Sequence, residues 1–256
     1  MISYTTDPRI ILTLDTGGTN MVFGAMQRGE FIVEPLTLPA YADDIDKCLS
    51  TMVEGFRTII DQLDERPAAI SFAFPGPADY PNGIIGGQLL NFPGFREGVA
   101  LGPYLKKKFS MPVYINNDGD LYAYGEALGG LLPEVNEMLD DYGNRKRYRN
   151  LVGFTLGTGL GIGVVANGEL NRGDNSCIEM FSIPLKGRPD VIAEEGISIR
   201  AVKRMYGELS GNPDHGLSPK DIFEIAEGLK EGDMEAAKGA FAQLGTALGD
   251  VIAMTV

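Results

Sequence analysis

The chain has 256 residues, 44% hydrophobic and 22% charged, with a formal net charge of −13; this is globular composition, enough for one large or two small domains with a real core. That acidity argues against a nucleic-acid partner, whose phosphates need clustered Lys and Arg. Two distant cysteines, Cys48 and Cys177, and a single histidine, His215, cannot assemble a zinc site of the usual spacing, and the thiols read as buried small hydrophobes in a reducing compartment.

Residues 1–9 are a polar lead-in, too brief for a helix-turn-helix module, and the apolar run after them is too short for a signal sequence or a span. A soluble cytoplasmic protein with no membrane partner is the expectation. The run Ile10–Leu14 reads as a buried strand, stopped by Asp15 and turned through Gly17-Gly18 into a second strand, Met21–Met26. Such a hairpin tip offers bare N–H groups and a hydroxyl that suit a phosphate, beside a carboxylate that suits a hydrated cation. An ordinary hairpin turn uses the same residues.

Residues 30–38 predict a third strand. Asp43 to Ile60 carries acidic residues in its first turn and apolar residues at Ile45, Leu49, Met52, Val53, Phe56 and Ile60, the stripe of an amphipathic crossover helix. Ala68–Phe74 is a fourth strand, cut off by Pro75-Gly-Pro77, and Asn91-Phe-Pro-Gly-Phe95 follows as a forced turn with an amide and two aromatics. Loops at strand ends of an α/β sheet are where ligands bind, although Asn91 could equally organise its own turn.

Leu101–Phe109 reads as a short helix and Pro112–Ile115 as a strand running into Asn116-Asn-Asp118 and a helix from Leu121 to Leu128. A carboxylate at Asp118, where a buried strand meets a helix N-terminus, is held rigidly and well placed to accept a proton; helix capping is its competitor. The basic cluster Arg145–Arg149 reads as a solvated loop. Leu151–Val165 then repeats the opening design, strand, Gly157-Thr158-Gly159 turn, strand. Two similar hairpins facing one another would hold the two ends of a polyphosphate. The pattern is a mixed sheet covered by helices, in two halves with a cleft between them and a boundary near residue 118.

Taken together, Asp15-Thr-Gly-Gly-Thr19, Asn91-Phe-Pro-Gly94, Asn117-Asp118 and Leu156-Gly-Thr-Gly-Leu-Gly161 resemble, in order and spacing, the ROK family of sugar kinases and repressors. The resemblance implies an α/β, two-lobed actin-like ATPase (ribonuclease H-like) fold, with residues 1–118 as one lobe and 119–256 as the other. It implies ATP-dependent phosphorylation of a hexose or N-acylated hexosamine by a glucokinase-like enzyme, and a homodimer. Asp15 resembles the carboxylate that orders the magnesium shell through water, Gly17, Gly18 and Thr19 the first phosphate loop, and Gly157, Thr158 and Gly159 the second. Asn91, Asn117 and Asp118 resemble the sugar contacts, with Asp118 as the general base.

Two departures qualify the resemblance. Cys177-Ile-Glu-Met-Phe-Ser182 stands where the family has a Gly-Glu-x-Gly-His stretch, so Glu179 keeps the sugar-binding carboxylate while Ser182 replaces the histidine. The cysteines that bind structural zinc are absent, so no zinc is expected, and Ile192–Ser198 supplies Glu194 as a second sugar ligand. The final helix, read over Asp233 to Val256, carries Ala236, Ala237, Ala240, Phe241, Leu244 and Leu248 on its apolar side, and the strand and glycine turn that hold adenosine in the family do not follow it. The expectation is a fragment of a longer protein. The alternative function is a catalytically weak, sugar-sensing regulator without a DNA-binding domain.

Overall fold

The computed structural model describes residues 4–76, 78–87, 89, 91–172 and 182–255. They divide into two compact units, residues 1–151 with 163–178, and residues 152–162 with 179–256. Residue 118 lies within the first of these units, and the helix that begins there packs onto a later strand of that unit.

The first unit is built on a mixed sheet. Strands β1 (Ile11–Thr16) and β2 (Asn20–Gln27) form an antiparallel hairpin with Thr16 opposite Met21. The expected third strand is split into β3 (Glu30–Phe31) and β4 (Leu36–Pro39), both antiparallel to β2. Arg28 and Gly29 take positive φ of 55° and 85° to make the tight turn into β3, and Pro35, which has no N–H to give the ladder, falls in the break between the two pieces. Helix α1 (Ile45–Ile60) follows, capped by Asp44, whose side chain accepts the Lys47 N–H. Then come β5 (Ala69–Ala73), the short pair β6 (Ala78–Asp79) and β7 (Ile84–Ile85), α2 (Leu101–Phe109) and β8 (Val113–Asn116). The strand order is β3-β2-β1-β5-β8, with β4 also on β2.

Alternation along these strands sends Leu12, Leu14, Phe23, Ile70, Phe72 and Ile115 into one core with Met52, Phe56 and Ile59 of α1. Phe56 meets Phe23 edge-on at 5.2 Å. Gly55 is required by that approach, since a β-carbon there would lie 2.5 Å from the Phe23 ring. Cys48 is buried in the same core, as expected of a small hydrophobe, whereas Cys177 lies outside the described residues.

Helix α3 (Asp118–Leu128) begins three residues earlier than the sequence pattern indicated, and α4 (Leu131–Asp141) follows it. Strands β9 (Leu151–Leu156) and β10 (Leu160–Ala166) form the second glycine hairpin, whose tip belongs to the second unit; the far end of β10 pairs with β11 (Glu169–Asn171) in the first. A β-carbon at Gly163 of β10 would stand 2.4 Å from the Gly119 carbonyl oxygen, so that glycine lets α3 lie directly on the strand. Residues 145–149 are exposed, in keeping with a solvated loop, with Arg147 paired to Asp140.

The second unit adds the hairpin β12 (Pro184–Leu185) and β13 (Arg188–Ile192), then α5 (Ile199–Ser210), α6 (Pro219–Ala226) and α7 (Met234–Thr255). Ala236, Ala237 and Ala240 of α7 pack against Val202, Met205, Ile222 and Ile225, with Phe241 and Leu244 at the margin. His215 is structural: its Nδ1 accepts the Leu217 N–H at 2.9 Å, so its Nε2 donates to the Lys203 carbonyl at 2.9 Å. No described helix is long and apolar enough to cross a membrane.

Candidate active site

In the first unit the site grows from the carboxyl ends of three parallel strands. Leu14 pairs with Phe72 and Phe72 with Ile115, so Asp15, near the end of β1, and Asn116, the last residue of β8, lie at the same level, two strand spacings or about 10 Å apart. The Thr16 hydroxyl donates to the Ala73 carbonyl at 2.7 Å and ties the first loop to β5. The Gly17 N–H closes the turn onto the Asn20 carbonyl at 2.9 Å, and a β-carbon at Gly17 would lie 2.8 Å from that oxygen. Gly18 and Thr19 are exposed, and their N–H groups make no hydrogen bond among the described residues. Asp15 is exposed as well.

The second sequence motif comes to the first. A β-carbon at Gly18 would stand 3.0 Å from the Asn91 carbonyl oxygen and 3.2 Å from its Cβ, so the first loop and Asn91 touch. Asn91 is anchored by its neighbours: Phe92 and Phe95 are buried, with ring centroids 4.7 and 5.0 Å from Phe74. Gly94 passes so near the segment leading into α1 that its β-carbon would be 3.0 Å from the Ala42 carbonyl oxygen and 3.2 Å from the Ile45 nitrogen.

At the end of β8 the helix cap is Asn117, not Asp118. The Asn117 Oδ1 accepts the N–H groups of Gly119 at 2.8 Å and Asp120 at 3.3 Å, and Asp118 is the first helical residue. The Asp118 carboxylate is exposed and takes the Gly119 N–H at 2.9 Å. Tyr80, unremarked in the sequence, completes the arrangement. Its buried hydroxyl donates to the Phe74 carbonyl at 2.9 Å and accepts from Asn117 Nδ2 at 3.4 Å, and Gly76 makes room for it. Asp15, Gly17, Gly18, Thr19, Asn91, Asn117 and Asp118 thus share one edge of one sheet.

The second glycine turn is held within the second unit. The Gly157 N–H reaches the Gly159 carbonyl at 3.0 Å, and the Ile199 N–H donates to the Gly157 carbonyl at 2.9 Å. Glu194 Oε2 accepts the Leu160 N–H at 3.1 Å. Arg200, also missed in the sequence, donates to the Thr158 carbonyl at 3.1 Å, to Glu194 Oε1 at 2.9 Å and to Glu195 Oε1 at 3.1 Å. The N–H groups of Thr158 and Gly159 make no hydrogen bond among the described residues, and a β-carbon at Gly157 would meet nothing within 4 Å. Each glycine turn therefore offers unengaged backbone donors, a donor set that fits a phosphate, and at Gly157 there is open space beside them. Glu179 lies outside the described residues; Ser182 is exposed. Among the described residues, no group of three or more His, Cys, Asp or Glu is placed to hold a metal.

A mixed sheet opened by a glycine hairpin, followed by a second glycine hairpin at β9–β10, is the fold of the actin-like ATPases and sugar kinases. A ROK hexokinase from Thermus thermophilus superposes with a TM-score of 0.68 over 96% of this chain and 78% of that one, at 19% identity. The ROK family model matches residues 11–256, and the chain belongs to the ROK family. A glucokinase from Parabacteroides distasonis is 56% identical, with a TM-score of 0.90 over 99% of this chain and 71% of its own. A beta-glucoside kinase from Listeria monocytogenes is 28% identical over 222 residues, 83% of this chain and 68% of that protein. A glucokinase from Thermotoga maritima is 26% identical over 164 residues, 64% of this chain and 46% of its own length.

Proposed function

We propose that the protein transfers the γ-phosphoryl group of ATP to a hydroxyl of a hexose or N-acylated hexosamine. The observation that carries this reading is the contact between Gly18 and Asn91 on the sheet edge that also bears Asp15 and Asp118. The contact supports the reading because a glycine loop with free N–H groups, an amide side chain and exposed carboxylates on one sheet edge are what phosphoryl transfer needs, which is little beyond positioning and charge neutralisation.

In this reading Asp118 accepts the proton of the attacking hydroxyl, a role worth about 10²- to 10⁴-fold in rate. Asn91 and Asn117 orient the sugar. Because Asn117 Oδ1 is committed to the helix cap, the group it offers a hydroxyl is Nδ2. Gly17 to Thr19 and Gly157 to Gly159 take phosphate oxygens on their N–H groups, and Asp15 orders the water shell of a magnesium ion. That ion, when bound, neutralises charge on the phosphates. Glu179 and Glu194 are assigned to the sugar from the family pattern. The same proposal includes the family's lobes, divided near residue 118, and a cytoplasmic homodimer, whose mass light scattering would measure.

The 56% identity to a glucokinase makes glucose the first sugar to test. Incubation with ATP, magnesium and, in turn, glucose, mannose, fructose, N-acetylglucosamine and N-acetylmannosamine should give a sugar phosphate by mass spectrometry with at least one of them. Binding of a sugar without product from any would favour the sugar-sensing alternative.

A further inference from the structure

Arg200 breaks a local rule. It is the second residue of α5, after the cap Ser198, where the exposed helix N–H groups disfavour a cation. Its side chain is 45% exposed, so its ion pairs add little to fold stability. A residue that local preference and stability both fail to explain points to a role in a site.

Its contacts show what that role is. Glu194 and Glu195 bring two carboxylates to the flank of the Gly157–Gly159 turn, and Glu194 occupies the space that a β-carbon at Gly159 would fill. Two uncompensated carboxylates beside a polyphosphate would repel it. Arg200 bonds to both through Nη2, and through Nη1 it holds the Thr158 carbonyl, so the negative end of that dipole is compensated by the guanidinium. We infer that Arg200 is a positioning residue for the nucleotide: it cancels the charge of Glu194 and Glu195 and fixes the second glycine turn so that its N–H groups are presented to phosphate. This rests on the kinase reading for the identity of the anion.

The test is calorimetric binding of magnesium–ATP to the full chain at about 0.02 M and about 0.5 M salt, where screening of exposed charges differs strongly. Arg200→Ala should bind about 10-fold more weakly at low salt, and about 2-fold more weakly at high salt, because the lost term is electrostatic. Its thermal midpoint should be unchanged or slightly raised, since alanine suits the first helical turn better. Arg200→Lys should retain part of the affinity, and adding Glu195→Gln to Arg200→Ala should restore part of it. Equal affinity of wild type and Arg200→Ala at low salt, an equal deficit at both salts, or no recovery in the double variant would each overturn the assignment. Wild-type protein that shows this binding pattern but phosphorylates no sugar would refute the kinase reading and leave the role of Arg200 standing. Wild-type protein that binds no magnesium–ATP would overturn both.

Discussion

Glu194 and Gly159 are 35 residues apart in sequence yet occupy the same space: a β-carbon on Gly159 would stand 2.4 Å from Glu194 Oε2, the oxygen that accepts the Leu160 N–H. Gly159→Ala must therefore displace the carboxylate or the turn. Overpacking of this kind costs about 1–3 kcal/mol, and because the carboxylate end of a glutamate can swing aside, the lower end is expected here. Thermal unfolding should show a modest loss, while the affinity for magnesium–ATP falls about 10-fold or more. Replacing Glu194 by alanine in the same chain should return the lost stability.

At the end of β8, Asn117 has two duties that substitution can separate. Asn117→Ala removes the cap of α3 and should cost about 1 kcal/mol in urea unfolding. Asn117→Asp keeps the capping oxygen and should unfold like wild type. Both should lose turnover, the second because it loses the amide Nδ2 and adds a negative charge beside Asp118.

In the core, Gly55→Ala sets two effects against each other. Alanine in mid-helix gains about 1 kcal/mol over glycine, whereas a β-carbon 2.5 Å from the Phe23 ring must move packed aromatic rings, at about 1–3 kcal/mol. The steric term should win, giving a net loss of up to about 2 kcal/mol in urea unfolding.

Burial pushes the Cys48 thiol from its ordinary value of 9.0 up to about 12. In the unfolded chain the thiol ionises near its ordinary value, so above about pH 9 the unfolded state binds fewer protons than the folded one and stability falls as pH rises. The contribution is fully present below that range and is lost towards pH 12, at no more than about 1.4 kcal/mol per pH unit. Unfolding curves from pH 8 to 11 should show this decline, and Cys48→Ala should flatten it. A thiol reagent should label Cys48 only on unfolding.

Much of this molecule is legible in its sequence because the signals are local. The runs at Ile10, Ala68, Pro112 and Leu151 become β1, β5, β8 and β9, and the apolar stripes from Asp43 and Asp233 become α1 and α7. The glycine turns, and the aromatic anchors beside Asn91, are also where the residue types place them. What escaped depends on contacts between distant residues. Tyr80 reaches Asn117 across 37 positions and Glu194 reaches Leu160 across 34, and no local pattern reports such pairs. The cap was legible in type but not in position, since Asn117 and Asp118 are both good caps and only the backbone decides. Arg200 did leave a local signal, a cation in the first turn of a helix behind a serine cap.

In the proposed reaction Asp118 takes a proton during phosphoryl transfer to a sugar. Its most direct test is a coupled ADP-release assay with ATP, magnesium and the panel of hexoses and hexosamines, run on wild type and Asp118→Asn. Asparagine fits the first position of α3 without disturbing the Asn117 cap, so the variant should unfold like wild type and still bind magnesium–ATP. Turnover on at least one sugar that falls about 10²-fold or more in the variant is the expected result. Turnover that survives unchanged in a folded Asp118→Asn protein would contradict the assignment.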